Sequence, residues 1–369
     1  MLKKPQTVYL ALSGGVDSAV SAYLLKAQGY RVKAVFMKNW TGTAESLAGE
    51  CNWVRERDDA QAVARKLKIP FAVWDFEREY RSLVIDHFFK EYERGRTPNP
   101  DVRCNQFVKI PLFLQRALKE GADLIATGHY ARVRKSPTGS YQLLSGLDLN
   151  KDQSYFLYTL TQNQLKHLLF PVGELSKPEV RKLAKRVKLP VAEKPDSVGI
   201  CFIGEVRVED FLRTRIRETP GPIVNTRGKV LGQHRGLPFY TVGQRHGLGL
   251  SGGPWYVVGR RWKRNTLIVG TQAQQRHLLA RTFVANQATW ISGKAPKLPA
   301  TFLVGHRYRH PVVPARVIKR GRNLQVTFVK NQRAITPGQS AVLYRKTRGG
   351  LEVVGGAVID KIKKQGFEW

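Results

Sequence analysis

The sequence predicts an α/β protein, with a doubly wound parallel sheet in the first half followed by two small β-rich domains, the last a β-barrel. Three observations carry this prediction. Strand and helix signals alternate up to about residue 200, and helical periodicity then disappears after about Pro220. A Ser-Gly-Gly turn also joins the first strand to the first helix, where open parallel sheets bind anions.

In order, Thr7–Leu12 reads as a strand, followed after the turn by a helix to about Gln28. Arg31–Met37 is strand-like, Arg57–Lys68 has helical spacing, and Phe71–Trp74 is again a strand. Helices are expected near Tyr80–Tyr92 and Phe107–Glu120, with a buried strand at Asp123–Thr127. Ser176 and Glu179 form a capping-box pattern that opens a basic helix running to about Lys188, ahead of Pro190. Short runs punctuated by Gly and Pro follow: 223–231 around an Asn-Thr-Arg-Gly turn, then 255–258, 267–269, 301–304, 312–318, 324–329, 341–344 and 353–359. The expected domains are 1–212, 213–280 and 281–369.

Composition narrows the function classes. A chain of 369 residues, 42% hydrophobic, can bury a large core, which excludes wholesale disorder. The net charge of +34 is uneven, and from Thr219 to Leu351 there is no Asp or Glu but there are 23 Lys or Arg. A surface without a polyanionic partner normally mixes both signs, so a nucleic acid or an acidic membrane is the expected partner. No run of 18 apolar residues exists and the first residues do not form a signal segment, so a membrane-spanning or secreted protein is not expected. Three cysteines, Cys51, Cys104 and Cys201, build neither a disulfide framework nor a C-x-x-C site, which fits a reducing cytoplasm with thiols open to chemistry.

Ser13-Gly14-Gly15-Val16-Asp17-Ser18 supplies what a phosphate needs: glycines that expose backbone N–H groups, hydroxyl donors and a helix N-terminus. It matches neither the P-loop nor the dinucleotide fingerprint. The string resembles the loop of the ATP pyrophosphatases, which cleave ATP between the α and β phosphates. Asp17 beside such a loop would repel ATP unless a cation lies between them, so Mg²⁺ is expected with ATP, its ligands unknown.

Cys104 ends the string Thr97-Pro98-Asn99-Pro100-Asp101-Val102-Arg103-Cys104, which reads as a proline-stiffened loop just before a helix. Arg103 and that helix N-terminus would favour thiolate, and Asp101 is a possible acid or base. Cys201 follows Asp196-Ser197-Val198-Gly199-Ile200, whereas Cys51 has no such context. His129 reads either as a functional group or as a satisfied core residue. Trp255, Tyr256 and Trp262 beside Arg260, Arg261, Lys263 and Arg264 read either as stacking and phosphate groups or as β-core.

With these strings, the segments Phe36–Trp40, Ala126–Ala131, Lys151–Leu157, Asp196–Gly204, Tyr240–Arg245, Arg307–Arg309 and Pro337–Ser340 run in family order along nearly the whole chain. The chain thereby resembles the tRNA-specific 2-thiouridylase family. The resemblance implies a cytoplasmic enzyme that adenylates O2 of the wobble uridine at position 34 of tRNA and replaces it by sulfur. Cys201 would carry the persulfide received from a sulfur-carrier protein, and Cys104 would act as nucleophile, releasing sulfide or joining the displacement, with a transient Cys104–Cys201 disulfide. Asn99, Pro100 and Asp101 would hold the target base. Ala11, Leu12, Ser13, Gly14, Gly15, Val16, Asp17, Ser18, Met37 and Gly128 would bind ATP, and His129, Lys151, Asp152, Gln153, Arg307, Tyr308 and Gln339 would contact tRNA. A monomer around one tRNA is the simplest assembly. Where the family has Lys-Lys-Asp-Ser before its second cysteine, this chain has Lys194-Pro195-Asp196-Ser197, which bears on how the Cys201 segment moves.

Competing readings are a non-catalytic tRNA-binding protein with a degenerate nucleotide fold, a ligase-type ATP pyrophosphatase for a small metabolite, and an organellar form of the same enzyme. The ligase leaves the acid-free stretch unexplained. That stretch predicts RNA affinity falling at least about 100-fold between ~50 and ~200 mM salt. A filter-binding titration showing a flat dependence would assign the charge to another purpose.

Overall fold

A computed structural model describes residues 5–42, 52–196 and 207–363. Strands β1 (Thr7–Ala11), β2 (Arg31–Lys38), β3 (Phe71–Asp75) and β4 (Leu124–Thr127) are followed by a hairpin, β5 (Ala131–Lys135) and β6 (Tyr141–Ser145), and by the short β7 (Leu168–Leu169). Strands β1 to β4 and β7 form one all-parallel sheet in the order β3-β2-β1-β4-β7. Chain direction across the sheet reverses between β1 and β4, which opens a crevice at their carboxyl ends.

Helices Val16–Ala27, Asn52–Leu67 and Lys177–Arg186 pack their apolar sides on one face, around Leu10, Val20, Leu25, Val63 and Val180. The opposite face carries the aromatic cluster of Tyr9, Trp74, Tyr80, Phe88 and Phe113. The Ser176 capping box forms as expected, with Ser176 Oγ accepting from the Glu179 N–H. Two helices expected to be continuous contain π turns, at Arg81–Ile85 and Asn105–Lys109. Side-chain periodicity barely registers one extra residue in a turn, so these could not be read from sequence.

The second unit comprises β8 (Gly221–Asn225), β9 (Val230–His234), β10 (Trp255–Arg261) and β11 (Thr266–Thr271), in the order β10-β11-β8-β9. The third comprises β12 (Leu279–Trp290), β13 (Ala300–Gly305), β14 (Val313–Arg320), β15 (Asn323–Arg333), β16 (Ser340–Thr347) and β17 (Gly350–Lys363). Antiparallel neighbours in the order β12-β15-β14-β13-β16-β17, closed by β12 on β17, make a six-stranded barrel. Its interior is filled by Phe283, Val317, Val326, Phe328 and Leu343. The β5–β6 hairpin, absent from the sequence expectations, leaves the parallel sheet and pairs β6 with β17.

All three units meet on the backbone ahead of Asn99. Arg260, buried in β10, donates to the carbonyls of Gly95 and Tyr240 at 2.6 and 3.0 Å. Gly95 (φ +72°) leaves the space that the Trp262 ring fills. The Thr97 N–H donates to Pro337 O at 2.9 Å, and Gln339 Nε2 donates to the Thr97 and Pro98 carbonyls at 2.9 and 3.2 Å. Arg260, Tyr256 and Trp262 thus resolve mainly as packing and bracing groups. Gly338 has φ +93°, and a Cβ there would lie 2.8 Å from Thr97 O. Gly338→Ala therefore combines left-handed strain with a backbone clash and should cost about 2 kcal/mol, read as a lower urea midpoint. An unchanged midpoint would mean the junction is loosely packed.

Candidate nucleotide and thiol site

The phosphate loop hangs from β1. The buried Leu12 donates its N–H to Val35 O at 2.9 Å, tying the strand end to β2. The Ser13 N–H donates to Ser18 Oγ at 3.1 Å, and that hydroxyl donates to Gly15 O at 3.0 Å, so the serines fold the loop onto itself. Gly14 (φ +78°) could not carry a side chain, because its Cβ would meet the Glu56 carbonyl oxygen. The helix then starts at Val16 with no side-chain cap, leaving first-turn N–H groups for an anion. Gly128 follows β4 across the crevice, and a Cβ there would lie 2.8 Å from Ser18 N. Ala11 and Gly128 thus lie at the carboxyl ends of the neighbouring strands β1 and β4, whereas Met37 is buried in β2 within the aromatic cluster.

Charges beside the loop are already balanced. Asp17 Oδ1 accepts from Tyr130 Oη at 2.8 Å and from Lys177 Nζ at 2.7 Å. Lys177 also pairs with Asp196 at 2.8 Å, and Asp196 is further held by Lys151 at 2.7 Å and Arg181 at 2.6 Å. Burial pushes the Asp196 carboxyl up, but hydrogen bonds from Lys151 and Lys177 outweigh it and hold the group at about 2. Burial and the Asp17 charge push the Tyr130 phenol well up, so it stays a donor. Lys194 reaches Asp59 at 2.7 Å, Glu56 at 3.3 Å and the carbonyl of Gly14 at 3.2 Å.

Residues 194–196 are therefore anchored on the phosphate loop from two sides. Cys201 lies in 197–206, outside the described residues, as does Cys51. The expected cation beside Asp17 is present as Lys177, so the charge argument for Mg²⁺ no longer stands alone. Mg²⁺ bound with ATP needs only one or two protein carboxylates, and Asp17 uses only Oδ1 for Tyr130 and Lys177, so the residues fit such an ion through Oδ2.

The cysteine loop corrects one expectation. Pro100–Cys104 is itself a short helix, with Asn99 Oδ1 capping the Val102 N–H at 3.1 Å and Pro100 in its first turn. Cys104 is 1% exposed and has helical backbone, Pro100–Cys104 running directly into the π turn Asn105–Lys109, so it lies inside a helical run and not at its N-terminus. Consecutive N–P–D–x–R–C residues read as loop because two prolines flank Asn99, yet Pro100 occupies the one helical position that tolerates it. Arg103 is engaged with the Leu83 carbonyl and stacks 4.5 Å over Phe107. Asn99, Pro100 and Asp101 line a cleft of about 190 Å³ with Phe88, Tyr92 and Gln339.

A strap, residues 151–157, lies between the two halves of the site. Gln153 Oε1 accepts from the Tyr130 N–H at 3.1 Å, and Tyr130 reaches Asp17. At its other end, the Phe156 carbonyl accepts from Asn105 Nδ2 at 3.5 Å, one residue past Cys104.

Several expected tRNA contacts instead face inward. Lys151 is paired with Asp196, and Asp152 accepts from the N–H groups of Gly146 and Ser154 and from the Ser154 hydroxyl. His129 is buried, its Nδ1 2.7 Å from Thr127 Oγ1 and its ring edge-on to Phe170, and burial holds its pKa well below the usual histidine range. Gln339 braces the Thr97–Pro98 backbone. Tyr308 packs on Phe156 at 4.3 Å, whereas Arg307 is exposed. Sequence reading missed Tyr130, Lys177 and Lys194 at the loop. Lys177 sits in the capping box of a helix whose charges looked solvated, and its partner is 160 positions away.

This crevice and loop define a nucleotide-binding protein of the HUP class. The family model described as tRNA methyl transferase HUP domain matches residues 6–205, its PRC-barrel domain 209–271, and the aminomethyltransferase beta-barrel domain 280–359. A protein of Hydrogenovibrio crunogenus described as tRNA-specific 2-thiouridylase MnmA is 46% identical, the match covering 95% of this chain and 93% of that one. One of the same description from Lysinibacillus sphaericus is 45% identical over 97% and 95%. The chain belongs to the tRNA-specific 2-thiouridylase family. A 4-thiouridine synthetase–RNA complex with bound ATP is 18% identical, covering 54% of this chain and 46% of that one with a TM-score of 0.37, too slight a likeness to argue from.

Lys177→Met should leave Asp17 and Asp196 facing each other without their shared cation. ATP-dependent pyrophosphate release should then fall at least tenfold, while Lys185→Met, whose side chain is 56% exposed, should change little. Equal rates in both variants would remove Lys177 from the site.

Proposed function

We propose that this protein catalyses ATP-dependent 2-thiolation of the wobble uridine, position 34, of tRNA. The observation that carries the reading is structural: the strap joins the Cys104 helix to Asp17, while the segment leading to Cys201 is anchored on the same loop by Lys194 and Asp196. The Cys104 helix and the described residues just ahead of Cys201 in sequence are thus both tied to one nucleotide loop. An intact loop of this kind disfavours a non-catalytic RNA-binding role.

Uridine O2 attacks the α phosphorus of ATP, pyrophosphate leaves, and C2 becomes activated by an AMP leaving group. Sulfur from a Cys201 persulfide then replaces that oxygen as AMP departs. Attack of the Cys104 thiolate on the persulfide releases the sulfide and leaves a Cys104–Cys201 disulfide, which an external thiol must reduce before the next turnover. Mg²⁺, when bound, neutralises phosphate charge. The first-turn N–H groups and the serine hydroxyls orient the phosphates, and Tyr130 and Lys177 fix the Asp17 carboxylate. Asn99, Pro100 and Asp101 hold the target base in the cleft, with Asp101 as acid or base.

Residues 1–212, 213–280 and 281–369 are assigned as catalytic, central and tRNA-binding domains. A persulfide-carrying protein donates the sulfur, and the enzyme works as a cytoplasmic monomer. Among the described residues no helix is long and apolar enough to cross a membrane.

The test is mass spectrometry of tRNA nucleosides after incubation with ATP, Mg²⁺ and a persulfide donor, where 2-thiouridine is expected at position 34. In Cys201→Ser, thiolation should vanish while tRNA-stimulated pyrophosphate release persists. Retained thiolation would refute the carrier role.

A further inference from the structure

Behind the Asn99 cleft lies a second cavity, of about 250 Å³, which shares only Pro98 and Asn99 with it. Its walls come from the helix Asp86–Glu93, the Cys104 helix and barrel strand β12. Three guanidinium groups, Arg94, Arg96 and Arg103, face it against one carboxylate, Glu91. Arg96 is neutralised by Glu91 at 2.7 Å and Asp360 at 2.6 Å. Arg94 is only 3.7 Å from the same Glu91 and is largely exposed, and no carboxylate pairs with Arg103 among the described residues. Burial lowers the Arg103 pKa from its usual value against the opposing charge of Glu91, which marks a partly desolvated cation with no directly paired carboxylate among the described residues. His87 on the same wall is held at about 4 by burial and by Arg103, with Arg94 and Arg96 lowering it further against Glu91's opposition, so it brings no further charge at neutral pH.

Amide side chains make up much of the remaining polar lining. Gln106, Asn286 and Gln287 join Asn99, and Asn286 Oδ1 is buried with no hydrogen-bond partner among the described residues. Gln287 (φ +53°) lies within the irregularity of the β12–β17 ladder between Asn286 and Thr289. A bulge of this kind re-aims side chains, here toward the cavity. Guanidinium groups suit a phosphate, and primary amides suit the donor and acceptor edge of a base or a ribose hydroxyl.

We infer that this cavity binds the nucleotide next to the target uridine, its phosphate on Arg94 and Arg103 and its polar edge on Asn286 and Gln287. The inference rests on the RNA-modifying reading above, because the cavity adjoins the cleft assigned to the target base. The enzyme would thereby read one flanking nucleotide in addition to the uridine it modifies.

A double-mutant cycle tests this. Affinity for an anticodon stem-loop RNA is measured for wild type, Arg94→Ala and Gln287→Ala. Each is paired with RNA carrying a neutral methylphosphonate, or an abasic residue, at the nucleotide 5′ or 3′ of the target. Arg94→Ala should weaken unmodified RNA about tenfold and reduce the salt slope by about 0.7. At one flank the methylphosphonate should then cost Arg94→Ala nothing further, and Gln287→Ala should be similarly indifferent to the abasic residue there. Additive losses at both flanks, or unchanged affinity in both variants, would overturn the assignment. So would stabilisation of wild type but not Arg94→Ala by inorganic phosphate without RNA coupling, which would indicate a free anion. Failure of the underlying function would appear separately, as wild type neither binding nor thiolating the unmodified RNA.

Discussion

Three backbone carbonyls, of Gly95, Thr97 and Pro98, bind side chains from outside the domain that contains them, and the geometry of the cysteine helix depends on those bonds. A loop before a five-residue helix has little intrinsic rigidity, since short helices are unstable alone. Arg260 and Gln339 supply that rigidity by donating into it from β10 and from the turn before β16. Among the described residues Arg260 is buried without a carboxylate partner, its pKa lowered to about 10 by burial, and its charge is satisfied by the carbonyls it braces. Losing either partner would leave a desolvated polar group, so the arrangement is stable only when all three units are docked. The position of Asn99 and Asp101 is consequently a property of the whole chain.

At the other end of the site the same logic is electrostatic. Asp17, Lys177, Asp196, Lys151 and Arg181 form a chain of alternating charge that starts on the phosphate loop and ends just before the Cys201 segment. With Lys177 only 10% exposed, its two carboxylate partners are weakly screened by water, so each helps fix the other's position. Lys194 adds a second tie, to the carbonyl of Gly14. The phosphate loop and the placement of residues 194–196 are thus mechanically linked. Pro195, where the family has Lys, lies between these two ties and limits how far one can slide without the other.

Much of this was legible in the residues. The parallel sheet showed as alternating periodicities, the barrel as regularly spaced short strands, the phosphate loop as glycines and serines at the first turn, and the Ser176 cap as a local pattern. Each is a local signal, set by backbone propensity or by residues within a few positions. The inward roles of Lys151, Asp152, Gln153 and Gln339 were not legible, because a polar side chain reads the same whether it meets solvent, RNA or a carbonyl from a remote strand. The β5–β6 hairpin was missed for a related reason, since its pairing partner, β17, lies some two hundred residues away.

By itself, then, the sequence determined the class of fold, the anion-binding turn, the polyanionic partner and the family, since these follow from composition, short spacings and strings of adjacent residues. Only the tertiary structure decided that helical backbone already begins at Pro100, placing Cys104 inside a helical run and not at its start. It also decided that Lys177 neutralises Asp17, and that a cavity rich in arginine and amide groups stands behind the Asn99 cleft. Those features join groups far apart in the chain, and no local propensity encodes which distant charge or carbonyl a side chain will meet once the three sheets dock.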